Sequence, residues 1–154
     1  MTQTATLNTL LVPVDFSPAS QAALEWAMQR VDGEDALILV LHVIDSKVLD
    51  AIESHDLADR ETAAAAMRDA AERRMKTFRE TAREDVQVDV LVAEGLPFLE
   101  IIRKAKDFDV DAIVMGRAGL REHVEKLFIG STAELVLRGA HCPVIVLPEE
   151  AVGA

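Results

Sequence analysis

Cysteine is almost missing from this chain of 154 residues, which contains Cys142 and no other. A single cysteine cannot form an intramolecular disulfide or supply a cysteine-rich metal site. Aromatic residues are also scarce, with one Trp and no Tyr, so the core must consist mainly of aliphatic residues and Met. The chain lacks the run of about 18 apolar residues that a membrane-spanning helix needs, and its first residues lack the pattern of a signal peptide. We therefore expect a cytoplasmic protein with no membrane partner.

Basic side chains are outnumbered, with 16 Lys and Arg against 27 Asp and Glu, which gives a formal net charge of −11. Because such a surface repels nucleic acids, we expect no nucleic-acid partner. A small anionic ligand is still compatible with this charge, since local backbone dipoles can outweigh a distant net charge. The length suits a single domain that spans residues 1–154.

Five short apolar runs are separated by longer segments with helical features. The runs lie at residues 9–14, 36–44, 86–93, 112–115 and 143–147. Four of them are nearly continuous in Val, Leu and Ile, which is typical of strands covered on both faces in a parallel sheet. The third run alternates with polar Gln87 and Asp89, which predicts a strand at the edge of the sheet.

The segments between these runs carry helix signals. Ser17 can cap a first helix, and residues from about 59 to 84 have the apolar stripe of a long one. Residues 45–60 indicate a loop with a helical turn. A helix that opens at Ser131 is expected to pack inward through Ala133, Val136 and Leu137. The alternation of strands and helices predicts an α/β domain with a mainly parallel sheet and right-handed crossovers.

Glycines and hydroxyl groups cluster where the carboxyl ends of the strands are expected, which is where open α/β sheets bind ligands. Gly116 and Gly119 follow the fourth run, and Gly130, Ser131 and Thr132 start the last helix. Glycine lets the backbone approach a ligand closely, and the first amides of a helix are unpaired donors with partial positive charge. The pattern favours a phosphate site. The alternative is that Gly130 turns the chain and Ser131 caps the helix.

Asp15, directly after the first run, also has two interpretations. Its carboxylate can cap the first helix together with Ser17, or it can accept hydrogen bonds from an adenine or a ribose. Other nucleotide motifs are absent, since the chain has neither G-x-G-x-x-G after the first strand nor G-x4-G-K-[S/T]. No serine has the G-x-S-x-G setting of a hydrolase nucleophile.

Over nearly its whole length the sequence resembles the universal stress protein family. The resemblance is carried by LLVPVDFSPASQAALEWA, LHV, GLPFLEII, DAIVMG and GSTAELVLRGAHCPVIVL. Nucleotide-binding members of the family carry G-x2-G-x9-G-[S/T], and Gly116 and Gly119 fit its first part. Residues 120–129 supply ten residues where the pattern has nine. The chain is therefore similar to the ATP-binding group, with one extra residue in the phosphate loop.

The resemblance implies a Rossmann-like fold, similar to that of adenine nucleotide alpha hydrolases, with an open five-stranded, mainly parallel sheet of order 3-2-1-4-5 and helices on both faces. It implies a stress-response protein that binds ATP, AMP or ADP, with Mg²⁺ brought by the phosphates. The implied nucleotide site is Pro13, Val14, Asp15, Val43, Met115, Gly116, Gly119, Gly130, Ser131 and Thr132. It also implies a homodimer through the fifth strand, at Pro143, Val144, Ile145, Val146 and Leu147.

Three functions stay open from the sequence. The first is an ATP-binding regulatory protein without catalytic residues. A nucleotide-free scaffold is the second, because the extra residue leaves the register of Gly119 against the phosphates open. A slow ATPase is a further alternative that ranks below the first, since no general base is evident near the expected phosphates. We expect Gly116→Asp or Gly130→Asp to remove ATP binding and to leave the fold largely intact.

Overall fold

The computed structural model describes residues 6–118 and 129–151, and its five strands match the five apolar runs to within two residues. The strands are β1 (Thr9–Pro13), β2 (Leu37–Asp45), β3 (Gln87–Gly95), β4 (Ala112–Gly116) and β5 (Val144–Leu147). The helices are α1 (Pro18–Arg30), α2 (Ser46–Ser54), α3 (Arg60–Glu80), α4 (Pro97–Asp107) and α5 (Ser131–Gly139), and a 3-10 turn (Glu149–Ala151) follows β5.

The strands form one parallel sheet in the order β3-β2-β1-β4-β5, as the family resemblance implied. β3 lies at one edge, which the alternation with Gln87 and Asp89 predicted. In the centre, Leu10 of β1 is aligned with Ile38 of β2 on one side and with Ala112 of β4 on the other. The carboxyl ends of β1, β2 and β4 are therefore neighbours at one end of the sheet.

Both faces of the sheet are covered, because successive residues of a strand point to opposite sides. One buried cluster joins the sheet to α1 and α3, through Leu10, Val12, Leu24, Ala27 and Met75. The other joins the sheet to α4 and α5, through Leu11, Leu39, Ile101, Ala105 and Val136. This two-sided burial explains why the sequences of β1, β2 and β4 are nearly continuous in apolar residues. Ser17 caps α1 as predicted, with its Oγ accepting the N–H of Ser20 at 3.1 Å.

The prediction for residues 45–60 was wrong, since most of this segment is helical. Asp45 caps the nine-residue helix α2, and its carboxylate accepts the N–H of Lys47 at 2.9 Å. Leu49 of α2 is fully buried in a third, small cluster with Ile44 and Ala63. This cluster is separate from the two main ones, so α2 forms a satellite packed on the sheet and on α3.

Leu137 was also wrongly predicted to pack inward. It is 43% exposed, because the buried stripe of α5 runs through Ala133 and Val136. Within the described part of the chain, no helix is both long and apolar enough to cross a membrane.

Candidate functional site

A cavity of about 540 Å³ opens at the end of the sheet where β1, β2 and β4 finish. The first turns of α1, α4 and α5 line it, and α2 and α3 supply the remaining wall. Its volume lies within the roughly 300–1,000 Å³ of small-molecule sites. After β1 the chain forms β2 and β3 on one side of it and then β4 and β5 on the other side. The cavity therefore lies at the switch in strand order, where open α/β sheets bind ligands.

The structure brings most of the predicted site residues together around this cavity. Nine of them line it, namely Pro13, Val14, Asp15, Val43, Met115, Gly116, Gly130, Ser131 and Thr132. Gly119 lies outside the described residues, as does nearly all of the ten-residue stretch that follows it. That the nine residues bind a ligand stays a prediction.

β1 separates from β2 at the cavity. There a side-chain contact of His42 replaces the next backbone hydrogen bond between the two strands. The last backbone bond joins the Val14 N–H to the Leu41 carbonyl at 2.8 Å. In a continued ladder the Val43 N–H would donate to the Val14 carbonyl, but the His42 Nδ1 contacts that oxygen instead, at 2.8 Å. Because strand residues alternate in the direction of their backbone bonds, the polar backbone groups of Val43 face the side that β1 has left.

Phe16 forms one wall of the cavity together with two other side chains. Its φ of 65° lies in the left-handed region, which is uncommon for a bulky residue. The centre of its ring lies 4.8 Å from that of His42, and the guanidinium carbon of Arg74 lies 4.3 Å from it. Since Arg74 belongs to α3, this stack connects α3 to the turn after β1.

Asp15 contacts the N–H of Ser17, which belongs to the N-cap residue of α1 and is not one of the first helical amides. Its Oδ1 accepts the N–H of Ser17 at 3.0 Å, which stabilises the turn before α1. The same residue lines the cavity, so its position is also compatible with contact to a ligand.

Gly116 has a packing role that the sequence did not indicate. A Cβ placed on it would lie 2.8 Å from the backbone carbon of Ala19 and 2.8 Å from the Cβ of Ala19. The first turn of α1 therefore packs directly on the backbone at the end of β4. Gly116 is required by this contact whether or not a ligand binds, so Gly116→Asp cannot be expected to leave the fold intact.

The start of α5 differs from the starts of α1, α2 and α3 and shares with α4 the lack of a side-chain cap. Helices α1, α2 and α3 are capped by the side chains of Ser17, Asp45 and Asp59. The N-cap of α5 is Gly130, without a side-chain capping bond, and Ser131 is already the first helical residue. The interpretation of Ser131 as the cap was therefore wrong. With a φ of −61°, Gly130 has a conformation open to any residue, so backbone geometry does not require glycine there.

Charged side chains of both signs line the cavity, from Asp15, Asp45, Arg74 and Arg117. Both carboxylates accept backbone N–H groups at the starts of helices. Across residues 6–118 and 129–151, no group of three or more His, Cys, Asp or Glu side chains could hold a metal ion. The cavity thus offers cationic and backbone donors to an anionic ligand, and this part of the chain provides no cage for a metal.

Phe16, His42, Arg74 and Arg117 line the cavity but were not among the predicted site residues. Three of them are direct sequence neighbours of predicted residues, so the same turns would have indicated them. Arg74 gave no such signal, because it comes from a helix whose sequence does not show which of its residues reaches the end of the sheet.

A doubly wound parallel sheet with a cavity at the carboxyl ends of its strands defines a Rossmann-like α/β protein. The model of the universal stress protein family matches residues 6–148. The chain belongs to this family, which confirms the resemblance seen in its sequence.

Relatives and solved structures agree with this assignment. The chain is 28% identical over 139 residues to universal stress protein MJ0531 of Methanocaldococcus jannaschii, which covers 90% of this chain and 80% of that protein. It is similar in structure to hypothetical protein MJ0577, with a TM-score of 0.82 and 24% identity over 94% of this chain and 97% of the other. For universal stress protein UspA from Lactobacillus plantarum the TM-score is 0.66, with 28% identity and coverage of 94% and 99%.

Two more distant structures share the fold and contain a nucleotide. One is a universal stress protein in complex with cAMP, with a TM-score of 0.60 and 20% identity over 95% of this chain and 100% of the other. The other is a family protein from Arabidopsis thaliana with AMP bound, with a TM-score of 0.56 and 17% identity over 94% and 93%.

Proposed function

We propose that this chain is a regulatory protein of the stress response that binds an adenine nucleotide, ATP foremost, in the cavity. The observation that carries the proposal is that Gly130, Ser131 and Thr132, at the start of α5, line the cavity together with Gly116 at the end of β4. The start of a helix carries partial positive charge, which favours a phosphate there. The cAMP and AMP complexes of two proteins with this fold support an adenine nucleotide as the ligand.

Two groups of lining residues suit the two parts of a nucleotide, the adenosine and the phosphates. Val43 and Asp15, at the ends of β2 and β1, offer backbone groups and a carboxylate for the adenosine. Gly116, Gly130, Ser131 and Thr132 would hold the phosphates, with Gly119 as a further contact. Mg²⁺ would be held mainly by the phosphate oxygens, since the described residues provide no metal cluster.

Binding rather than catalysis is the function that the described cavity residues favour. Hydrolysis would need a general base held near the attacking water, and we assign no described cavity side chain to that role. Asp15 and Asp45 accept backbone N–H groups, and the His42 Nδ1 is bonded to the Val14 carbonyl. Because these contacts hold the fold around the cavity, we assign the three side chains to structure and binding.

A cytoplasmic homodimer with one domain over residues 1–154 is part of the same proposal. β5 is an edge strand whose four residues are each only partly buried. The carbonyls of Pro143 and Leu147 accept bonds from β4 and from the residue that follows it. By alternation, the N–H and C=O groups of Val144 and Val146 point away from β4. A second copy paired along this edge would satisfy them and remove an exposed edge.

Gly130→Asp tests the nucleotide site with the least disturbance of the helix. Asp is a preferred N-cap residue, and its carboxylate would accept the same N–H groups that a phosphate would use. We expect the variant to fold with unchanged or higher stability and to lose ATP affinity at least tenfold, because a fixed carboxylate both occupies the donors and repels the ligand.

The measurement is isothermal titration of nucleotide-free protein with ATP, ADP and AMP, preceded by mass spectrometry of any ligand released on unfolding the purified protein. Gln29→Asp, an exposed position of α1 that is not part of the cavity lining, is the matched control for the added charge. The proposal is wrong if the wild type binds none of the three nucleotides. It is also wrong if Gly130→Asp binds ATP as tightly as the wild type and the Gln29→Asp control do.

A further inference from the structure

Arg117 is fixed by its backbone at the junction between the sheet and the start of α5. Its N–H donates to the carbonyl of Leu147 at the end of β5, and its carbonyl accepts the N–H of Gly130, both at 2.7 Å. The residue therefore connects the edge strand β5 to the N-cap of α5. Its side chain starts from a fixed point beside the amides that the proposed function assigns to phosphates.

The side chain of Arg117 contains an unsatisfied donor. Its Nε is buried and has no hydrogen-bond partner, and it is the one buried side-chain nitrogen or oxygen in this state among the described residues. A guanidinium has donors and no acceptor, and a buried donor without a partner is unfavourable for the folded protein. Structures keep such groups rarely, and a missing ligand is one physical reason for them.

The surroundings of Arg117 favour an anion as the missing acceptor. The residue lines the same cavity as the first turn of α5, whose amides carry partial positive charge. An anion bound between the Arg117 guanidinium and these amides would be attracted by both. The formal charge of the whole chain is −11, so an anionic ligand that approaches it depends on such local positive groups.

We propose that Arg117 is a phosphate-binding residue of the cavity. It should bind a ligand more tightly the more phosphate groups that ligand carries. This rests on the proposed function for the identity of the ligand, but the contact to phosphate can be tested without adenosine. Each charge-assisted hydrogen bond from the guanidinium is worth a factor of about ten to a hundred in affinity. Adenosine alone would gain nothing from it.

The test compares Arg117→Met and Arg117→Lys with the wild type by titration with ATP, adenosine and tripolyphosphate. Arg138→Met is the control, since Arg138 lies on α5 with its side chain 74% exposed and paired with Glu134. We expect Arg117→Met to weaken ATP and tripolyphosphate about tenfold to a hundredfold and adenosine less than about threefold. Arg117→Lys should lose less, because it keeps the charge without the planar donors. Arg138→Met should bind all three like the wild type.

Thermal unfolding of the ligand-free variants adds a readout that a structural role would move in the opposite direction. Arg117→Met removes the unsatisfied donor, so its melting temperature should equal or exceed that of the wild type. A lower melting temperature with equal losses for adenosine and ATP would overturn the assignment, as would unchanged affinity for both phosphate ligands. Binding of tripolyphosphate without any binding of ATP or adenosine would support the role of Arg117 and contradict the proposed nucleotide. Absence of binding for all three probes would overturn both.

Discussion

Gly116→Ala separates the packing role of this glycine from its expected role in binding. A Cβ at residue 116 would lie 2.8 Å from both the backbone carbon and the Cβ of Ala19, and 3.0 Å from the Ala19 carbonyl oxygen. Ordinary contact begins at 3.4 Å, so β4 and the first turn of α1 would have to move apart by about 0.6 Å. The atoms in the way are mainly backbone, which cannot rotate aside as a side chain can.

The cost of this movement is that of overpacking a core, about 1–3 kcal/mol. We therefore expect Gly116→Ala to lower the free energy of unfolding by that amount, measured by urea denaturation followed by circular dichroism. ATP affinity should fall as well, because Phe16, Ser17 and Ser20 at the start of α1 line the cavity.

Gly139→Ala is the matched control. Its Cβ would come even closer to a neighbour, 2.6 Å from the Ile102 Cδ1, but a terminal methyl group can rotate away. Alanine also has a higher helix propensity than glycine, by up to about 1 kcal/mol. We expect this variant to lie within about 0.5 kcal/mol of the wild type. If Gly116→Ala were equally neutral, the close approach of α1 to β4 would not be the reason for glycine at this position.

Three further predictions concern the edge strand, a helix cap and the cysteine. Val146→Pro, which removes an outward-facing N–H of β5, should give a folded monomer by light scattering, whereas Ile145→Pro should unfold the strand by removing a bond to β4. Hydrogen bonds from Thr62 lower the pKa of Asp59, the cap of α3, so the carboxylate stabilises the fold above its ordinary pKa. Asp59→Ala should be less stable than the wild type at neutral pH, and the difference in urea midpoint should shrink as the pH falls below 3.8. Burial raises the pKa of the Cys142 thiol, so iodoacetamide should react with it more slowly in the folded protein than in urea. The contribution of the protonated thiol to stability should be lost as the pH rises through that raised pKa. A difference in urea midpoint between Asp59→Ala and the wild type that does not change with pH would contradict the second prediction. Equal alkylation rates of Cys142 in the folded protein and in urea would contradict the third.

The strands could be read from the sequence because their pattern has a single physical cause. A strand covered on both faces is nearly continuous in apolar residues, as β1, β2 and β4 are. β3 at the edge alternates for the opposite reason. Helix α2 was missed because its nine residues are too few for a clear period, although Asp45 and the spacing of Leu49 and Ile52 could have indicated a capped, one-sided helix. For α5, the stripe through Ala133 and Val136 is one residue narrower than predicted, which leaves Leu137 exposed.

The candidate site could be predicted where it depends on the ends of strands, since topology alone brings these together. The reason for each glycine could not. Gly116 faces α1, a neighbour that is distant in sequence, and only the three-dimensional structure shows that contact. The same limit applies to Arg74, whose position over Phe16 depends on how α3 lies across the sheet. The contact of His42 with the Val14 carbonyl, where β1 and β2 separate, could not be predicted either. A histidine inside a strand can make many other contacts.

The small cluster beneath α2 has a kinetic consequence. Leu49 is the one residue of that helix which is fully enclosed, so swinging α2 away exposes little apolar area and leaves both main clusters undisturbed. Such sub-global openings require much less free energy than complete unfolding, and motions of this size occur in microseconds to milliseconds. Because Asp45 and Val48 border the cavity on that side, we expect a bound molecule to enter and leave there, at a rate independent of global stability. Deuterium uptake should accordingly be far faster in α2 than in β1.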